Sequence, residues 1–123
     1  MNSLHTVINY TQFEEHYQKI KQNNKFVLYF TGTTDETTGR NWCSDCEAAY
    51  PFIKSHVIPK CQELAIPLLE VKNGLRDEWK NPNHPLRHHK DFKLQGIPGN
   101  FEKSLLEQQI TNKQLLLDFF EDL

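Results

Sequence analysis

Cys43 and Cys46 stand three residues apart in "NWCSDC". Two thiols at that spacing can clip a metal, lock a structural disulfide or pass electrons, and each use demands different surroundings. If Cys43 lies at the mouth of a helix, Cys46 falls on the same face about one turn deeper. The Cys43 sulfur then sits near unpaired backbone N–H groups and the positive end of the helix dipole. Both favour thiolate over thiol, and the thiolate is the reactive species. That arrangement suits dithiol–disulfide exchange, with Cys43 attacking a substrate disulfide and Cys46 displacing the product. Between them, Ser44 can hydrogen-bond toward the thiolate or help cap the helix. Asp45 opposes a nearby thiolate by its charge. Its two readings are an acceptor for the Cys46 proton and a solvated first-turn acid that favours the helix.

The alternatives are concrete. A structural zinc takes four ligands, commonly from two paired knuckles. This chain offers one CxxC, a separate Cys61 and scattered histidines, among them "HPLRHH" at His84–His89. No second pair stands at finger spacing, so no metal ligand is assigned. Cys61 reads as a buried or half-buried thiol near a helix end, and the histidine cluster as exposed loop. A CxxC without any function is the remaining reading.

Elements able to hold such a pair can be read around it. Leu4–Tyr10 reads as a first strand, with Val7 and Ile8 its apolar residues. Thr11 with Glu14 forms a capping-box pattern, followed by Phe13, Tyr17 and Ile20 at helical spacing. "KFVLYFT" at Lys25–Thr31 is continuously apolar, as a buried central strand is. Gly32–Asn41 is a polar connection. After Cys43 a helix carries Ala48, Ala49, Phe52, Ile53, His56 and Val57, with Pro51 kinking it and Pro59 marking its end. Ile66–Lys72 reads as another buried strand, and 73–92 as loops with a short helix. "LQGIPGNF" and "SLLEQ" are extended candidates, and "TNKQLLLDFFEDL" a terminal helix. The order β-α-β-α-β-(loop/helix)-β-β-α predicts an α/β fold with a mixed sheet between helices.

Composition bounds the function. The 123 residues fit a single domain, 1–123, large enough for a core without disulfide staples. A net charge of −2 and the lack of long basic blocks argue against nucleic acid or an anionic membrane as partner. "FVLYF" and "IPLLEV" are too short to cross a bilayer. The first residues lack a signal peptide's apolar core and carry acids that transit peptides avoid. The expectation is a cytoplasmic protein, where thiols are kept reduced and three cysteines do not make a structural framework.

Taken together, "FVLYFTG", a polar loop, "NWCSDC", Pro51, "EWKNPNHPLR" and "LQGIPGN" resemble the thioredoxin-fold proteins. Within them the chain is most similar to the small cytosolic thioredoxin-related proteins whose active site reads WCxDC. That resemblance spans nearly the whole chain. It implies a disulfide reductase fed by a thioredoxin reductase system, acting on protein disulfides and small ones such as cystine. It needs no cofactor beyond its own redox-active disulfide, and a monomer is expected. By the resemblance Cys43 is the nucleophile and Cys46 the resolving thiol, with Trp42, Ser44 and Asp45 as motif residues around them. Ile97–Pro98 matches the cis-proline segment facing the Cys pair, where Ile97 offers its backbone to an extended substrate. An alternative reading is a non-catalytic thioredoxin-like binding module using Trp42 and the Ile97–Pro98 edge.

Departures from the family pattern are Ser44 in place of proline, Gly99 where threonine is common, and a last hairpin that looks short. Tyr29 stands where many thioredoxins bury an aspartate as proton acceptor for the resolving thiol. That task then falls to Asp45, water or another group.

Overall fold

All five residues of strand β2 (Val27–Thr31) are buried, and this strand lies at the centre of the sheet. The computed structural model describes residues 4–23, 25–91, 97, 99–102 and 109–110. Strands β1 (His5–Asn9) and β5 (Leu68–Lys72) run parallel to β2, in the order β1-β5-β2. Strand β6 (Gly99–Glu102) pairs antiparallel with the other edge of β2, and β7 (Gln109–Ile110) pairs antiparallel with β6. The result is the mixed sheet expected from the order of elements. The last hairpin is present, with two residues in register on β7. Its "SLLEQ" candidate at 104–108 and the terminal helix at 111–123 lie outside the described residues.

A strand buried on both faces needs apolar side chains throughout, and alternation then sorts them into two cores. Leu28 and Phe30 pack with Phe13 and Tyr17 of helix α1 (Phe13–Ile20). Val27 and Tyr29 face the opposite side, against Ile53, Val57 and Cys61. Those three residues belong to one long helical run: α2 (Ser44–Phe52), a π-helical segment at Ile53–Val57, and α3 (Ile58–Glu63).

That run differs from the expected helix in three respects. Pro59 does not end it but sits in the first turn of α3, where its missing N–H removes little. Pro51 and Pro59 each lack a donor and crowd the carbonyl four residues back. The widened π turn at Ile53–Val57 lies directly before Pro59 and gives the backbone room for that ring. The helix instead ends at Ala65, which adopts φ 56°, while the Ile66 N–H donates to the Cys61 carbonyl at 2.8 Å. This is a Schellman-type closure, and its left-handed position carries a Cβ that glycine lacks. Ala65→Gly is expected to raise stability by about 0.5–1 kcal/mol, read as a shift of the urea midpoint at unchanged slope. Finally, Ala48 and His56 point to solvent; the buried stripe is Cys46, Ile53, Val57 and Cys61.

Two other local expectations are corrected. The first helical turn is a 3-10 turn at Tyr10–Gln12, capped by Asn9 and not by Thr11. The Thr11 N–H and hydroxyl both donate to Asn9 Oδ1 at 3.0 Å, and the Asn9 N–H donates to Gln12 Oε1 at 3.3 Å. Asn9 ends β1, so its short amide already lies beside the orphan N–H groups. Glu14 instead accepts from Gln18 and contacts His89. The connection Gly32–Asn41 holds a small hairpin of β3 (Thr34–Asp35) and β4 (Arg40–Asn41). Among the described residues no helix is long and apolar enough to cross a membrane.

Candidate active site

Cys43 is the N-cap of α2, with extended backbone (φ −86°, ψ 109°). Its sulfur accepts the Cys46 N–H at 3.2 Å, so one of the orphan donors of the helix start is turned onto the thiol. Asn41 holds this turn together. Its Oδ1 accepts the Cys43 N–H at 3.0 Å, its Nδ2 donates to the Gly32 carbonyl at 2.9 Å, and its own N–H donates to Glu47 Oε2. Such an approach requires glycine at 32, since a Cβ there would meet Asn41 Oδ1 at 2.6 Å and Trp42 Nε1 at 2.9 Å. Asn41 was not singled out from the sequence. The one available signal was an amide-bearing residue two positions before a helix cap.

Cys43, Ser44, Asp45, Trp42 and Ile97 line one open cavity of about 440 Å³. The Cys43 thiol points to the Ile97 carbonyl at 3.8 Å, across the sequence gap that separates them. Pro98 lies outside the described residues. Trp42 is half-buried, with its Nε1 donating to the Gly74 carbonyl at 2.8 Å, which fixes the ring as one wall. Ser44 and Asp45 are exposed in the first turn of α2. Cys46 is only 1% exposed and lies beneath Cys43, which is 9% exposed. One thiol borders the cavity and the other is sealed from it. They are not joined by a disulfide.

Burial pushes the Cys46 thiol up to about 12, aided by its interaction with Cys43 and opposed by the Thr31 hydroxyl and the Gly32 backbone. Cys46 is therefore protonated at neutral pH. A second cavity of about 290 Å³ reaches it from the other side, lined also by Thr31, Asn41, Glu47 and Lys72. Tyr29 lies in β2 two residues from Thr31, and its burial raises the phenol well above the ordinary range. Its hydroxyl is buried without a well-formed hydrogen bond among the described residues. Removing that group leaves nothing unpaired, so Tyr29→Phe is expected to be neutral or stabilising by up to about 1 kcal/mol in urea unfolding.

Two titratable groups have a burial that was not expected from the sequence. Glu70, inside the apolar run of β5, is 3% exposed and faces His5 at 2.9 Å and Lys72 at 2.9 Å. Burial pushes its carboxyl up, but those two partners outweigh it and hold it below the usual range. His84, expected in an exposed loop, is buried at 2% exposure. It pairs through Nε2 with the Asn73 carbonyl at 3.1 Å and accepts the Leu86 N–H at Nδ1. Helix α4 (Arg76–Lys80) brings Trp79 onto the His84 ring, and the apolar neighbours explain the burial. Among the described residues no three His, Cys, Asp or Glu side chains come close enough to hold a metal.

Comparison with known proteins agrees with this geometry. The chain overlaps mitochondrial thioredoxin 3 of Saccharomyces cerevisiae with a TM-score of 0.57, covering 96% of this chain and 94% of that one at 20% identity. The fold is therefore thioredoxin-like. Thioredoxin-like protein Clot of Arabidopsis thaliana is 38% identical over 73 residues, 59% of this chain and 52% of that protein. Thus the chain spans about half the length of that relative. Thioredoxin domain-containing protein 17 of Homo sapiens is 31% identical over 91 residues, 70% of this chain and 68% of that protein. Residues 6–122 match the family model described as thioredoxin domain-containing protein 17-like, thioredoxin domain. The chain belongs to the thioredoxin domain-containing protein 17-like family.

Proposed function

We propose that the protein is a thiol–disulfide oxidoreductase that reduces disulfides by cycling Cys43 and Cys46. The observation that carries this reading is the asymmetry of the pair: Cys43 borders an open cavity and receives a helix-start N–H at 3.2 Å, while Cys46 is sealed one turn below. In the first step the Cys43 thiolate attacks one sulfur of the substrate. A Cys43–substrate disulfide forms and the other substrate sulfur leaves as a thiolate. In the second, Cys46 loses its proton and attacks the Cys43 sulfur. The Cys43–Cys46 disulfide forms, the second substrate thiolate leaves, and the two electrons and two protons of the dithiol end on the two product thiols.

The proton of Cys46 needs an exit, because its thiol is neutral at pH 7. Tyr29, with its phenol raised further still, is no base. Cys46 borders a cavity with Thr31, Asn41, Glu47 and Lys72, and in this reading water reaches the thiol from there. Asp45 is exposed and borders the other cavity. We assign it to the first turn of α2, where its charge suits the helix dipole, and water to the acceptor role. The electron donor of this reading is a thioredoxin reductase system, the substrates are disulfide-bearing proteins and small disulfides, and the setting is the cytoplasm.

The test is a coupled assay with NADPH and thioredoxin reductase, following NADPH consumption with a neutral disulfide such as hydroxyethyl disulfide. Protein-dependent, saturable consumption supports the reading. A rate no greater than that of the reductase alone removes it.

A further inference from the structure

The wall of the Cys43 cavity carries a charge pattern opposite to that of the chain. The molecule has net charge −2, yet Arg76, Lys80 and Arg87 line this cavity against a single acid, Asp45, among the described residues. Arg76 and Lys80 open and close α4 four residues apart, so both fall on one side of that helix. Both are exposed, and neither forms a salt bridge among the described residues. Arg87 is held in place: its guanidinium lies 4.0 Å from the centre of the Trp79 ring, and its Nε donates to the Trp79 carbonyl at 2.9 Å. The buried His84 fixes the 3-10 turn at Pro85–Arg87 by accepting the Leu86 N–H. Thus one cation is rigid, two are available, and all three border the cavity onto which the Cys43 thiol opens.

We propose that Arg76, Lys80 and Arg87 form an electropositive collar that selects peptide disulfides whose attacked half-cystine is flanked by acidic residues. The inference rests on the oxidoreductase reading and adds to it the class of substrate. An extended segment laid across the mouth advances about 3.4 Å per residue, so neighbours one or two positions from the attacked cysteine come within reach of side chains as long as arginine and lysine. A carboxylate there meets guanidinium and ammonium donors that face a single acid, Asp45, among the described residues. A lysine there meets three like charges. A recess of low-dielectric walls, such as Trp42 and Trp79, strengthens such a field relative to a flat surface. The exchange chemistry is unchanged; the collar alters which disulfide is presented to Cys43.

The experiment uses three peptides that differ only in the residues flanking one intramolecular disulfide: Glu, Gln or Lys. Rates in the coupled assay are divided by the rate of dithiothreitol with the same peptide, which removes the disulfide's own reactivity. At an ionic strength of about 0.01 M the Glu peptide is expected to exceed the Lys peptide in kcat/KM by about tenfold or more, and at about 1 M by less than about twofold. The double variant Arg76→Gln/Lys80→Gln lowers the low-salt ratio at least about threefold, while the remote Lys54→Gln leaves it unchanged. A flat profile across the three peptides in wild type overturns the collar, and so does a preference that survives high salt. The salt series needs no variant, so a misfolded double variant does not decide the matter. Failure of the wild type to reduce the Gln peptide at all overturns the oxidoreductase reading itself. Reduction of the Gln peptide with no charge preference overturns the collar alone.

Discussion

Cys43→Ser is expected to lower disulfide reduction by about a thousandfold or more, to the rate of the reductase system alone, because a serine hydroxyl does not ionise near pH 7 to replace the thiolate. The same change removes only one weakly exposed sulfur. Ser can still cap α2 through the 3.2 Å approach of the Cys46 N–H, so the fold should survive with little loss of stability. Unchanged circular dichroism with lost turnover is therefore the pattern expected. Activity within about twofold of wild type would show that Cys43 is not the attacking group and remove the Cys43–Cys46 cycle.

Cys46→Ser is expected to fail in a different way. Attack by Cys43 remains possible, but the mixed disulfide has no partner to resolve it, so a covalent adduct with substrate accumulates to about one equivalent while turnover falls by about a hundredfold or more. In the wild type the same step should depend on pH in a defined direction. The burial that raises the Cys46 thiol persists in the mixed disulfide, so the fraction ionised, and with it the rate of resolution, rises as pH climbs from about 6 to 9. The corresponding linkage to stability has the opposite sense. A thiol raised in the folded state stabilises the fold below its unfolded value near 9, and that contribution is lost as pH climbs from there toward about 12. Rapid-quench measurement of adduct decay across pH checks the first, and urea unfolding above pH 9 the second.

How much of this was legible in the residues depends on how local the determining force is. Largely apolar runs marked β2 and β5 because a strand buried on two faces is mostly apolar, with Thr31 and Glu70 as buried polar exceptions. The Cys pair could be placed at a helix start because CxxC and the apolar stripe behind it lie within fifteen residues. Helix ends were read less well. Pro59 looks like a stop in one dimension, yet a widened turn absorbs it, and Ala65 closes the helix from a left-handed conformation that alanine does not advertise. The cap at Asn9 was missed because Thr11 and Glu14 match the pattern equally well, and only the end of β1 chooses between them. His84 and Glu70 were illegible for a third reason. Their burial depends on partners that a local pattern does not show: Trp79 and Leu86 around His84 in a polar stretch, and His5 from β1 with Lys72 around Glu70 in an apolar one. The collar follows the same rule: Arg76, Lys80 and Arg87 lie thirty or more residues from the cysteines, and only the fold brings them to one cavity.

The most direct test of the central claim is the redox state of each cysteine after one turnover. Reduced protein is mixed with one equivalent of a neutral disulfide, quenched with an alkylating agent and mapped by peptide mass spectrometry. The expected product is an internal Cys43–Cys46 disulfide with two equivalents of product thiol released and Cys61 alkylated only after denaturation. Oxidation at Cys61 with Cys43 and Cys46 still alkylated, or no oxidation at all while the disulfide is consumed, contradicts it.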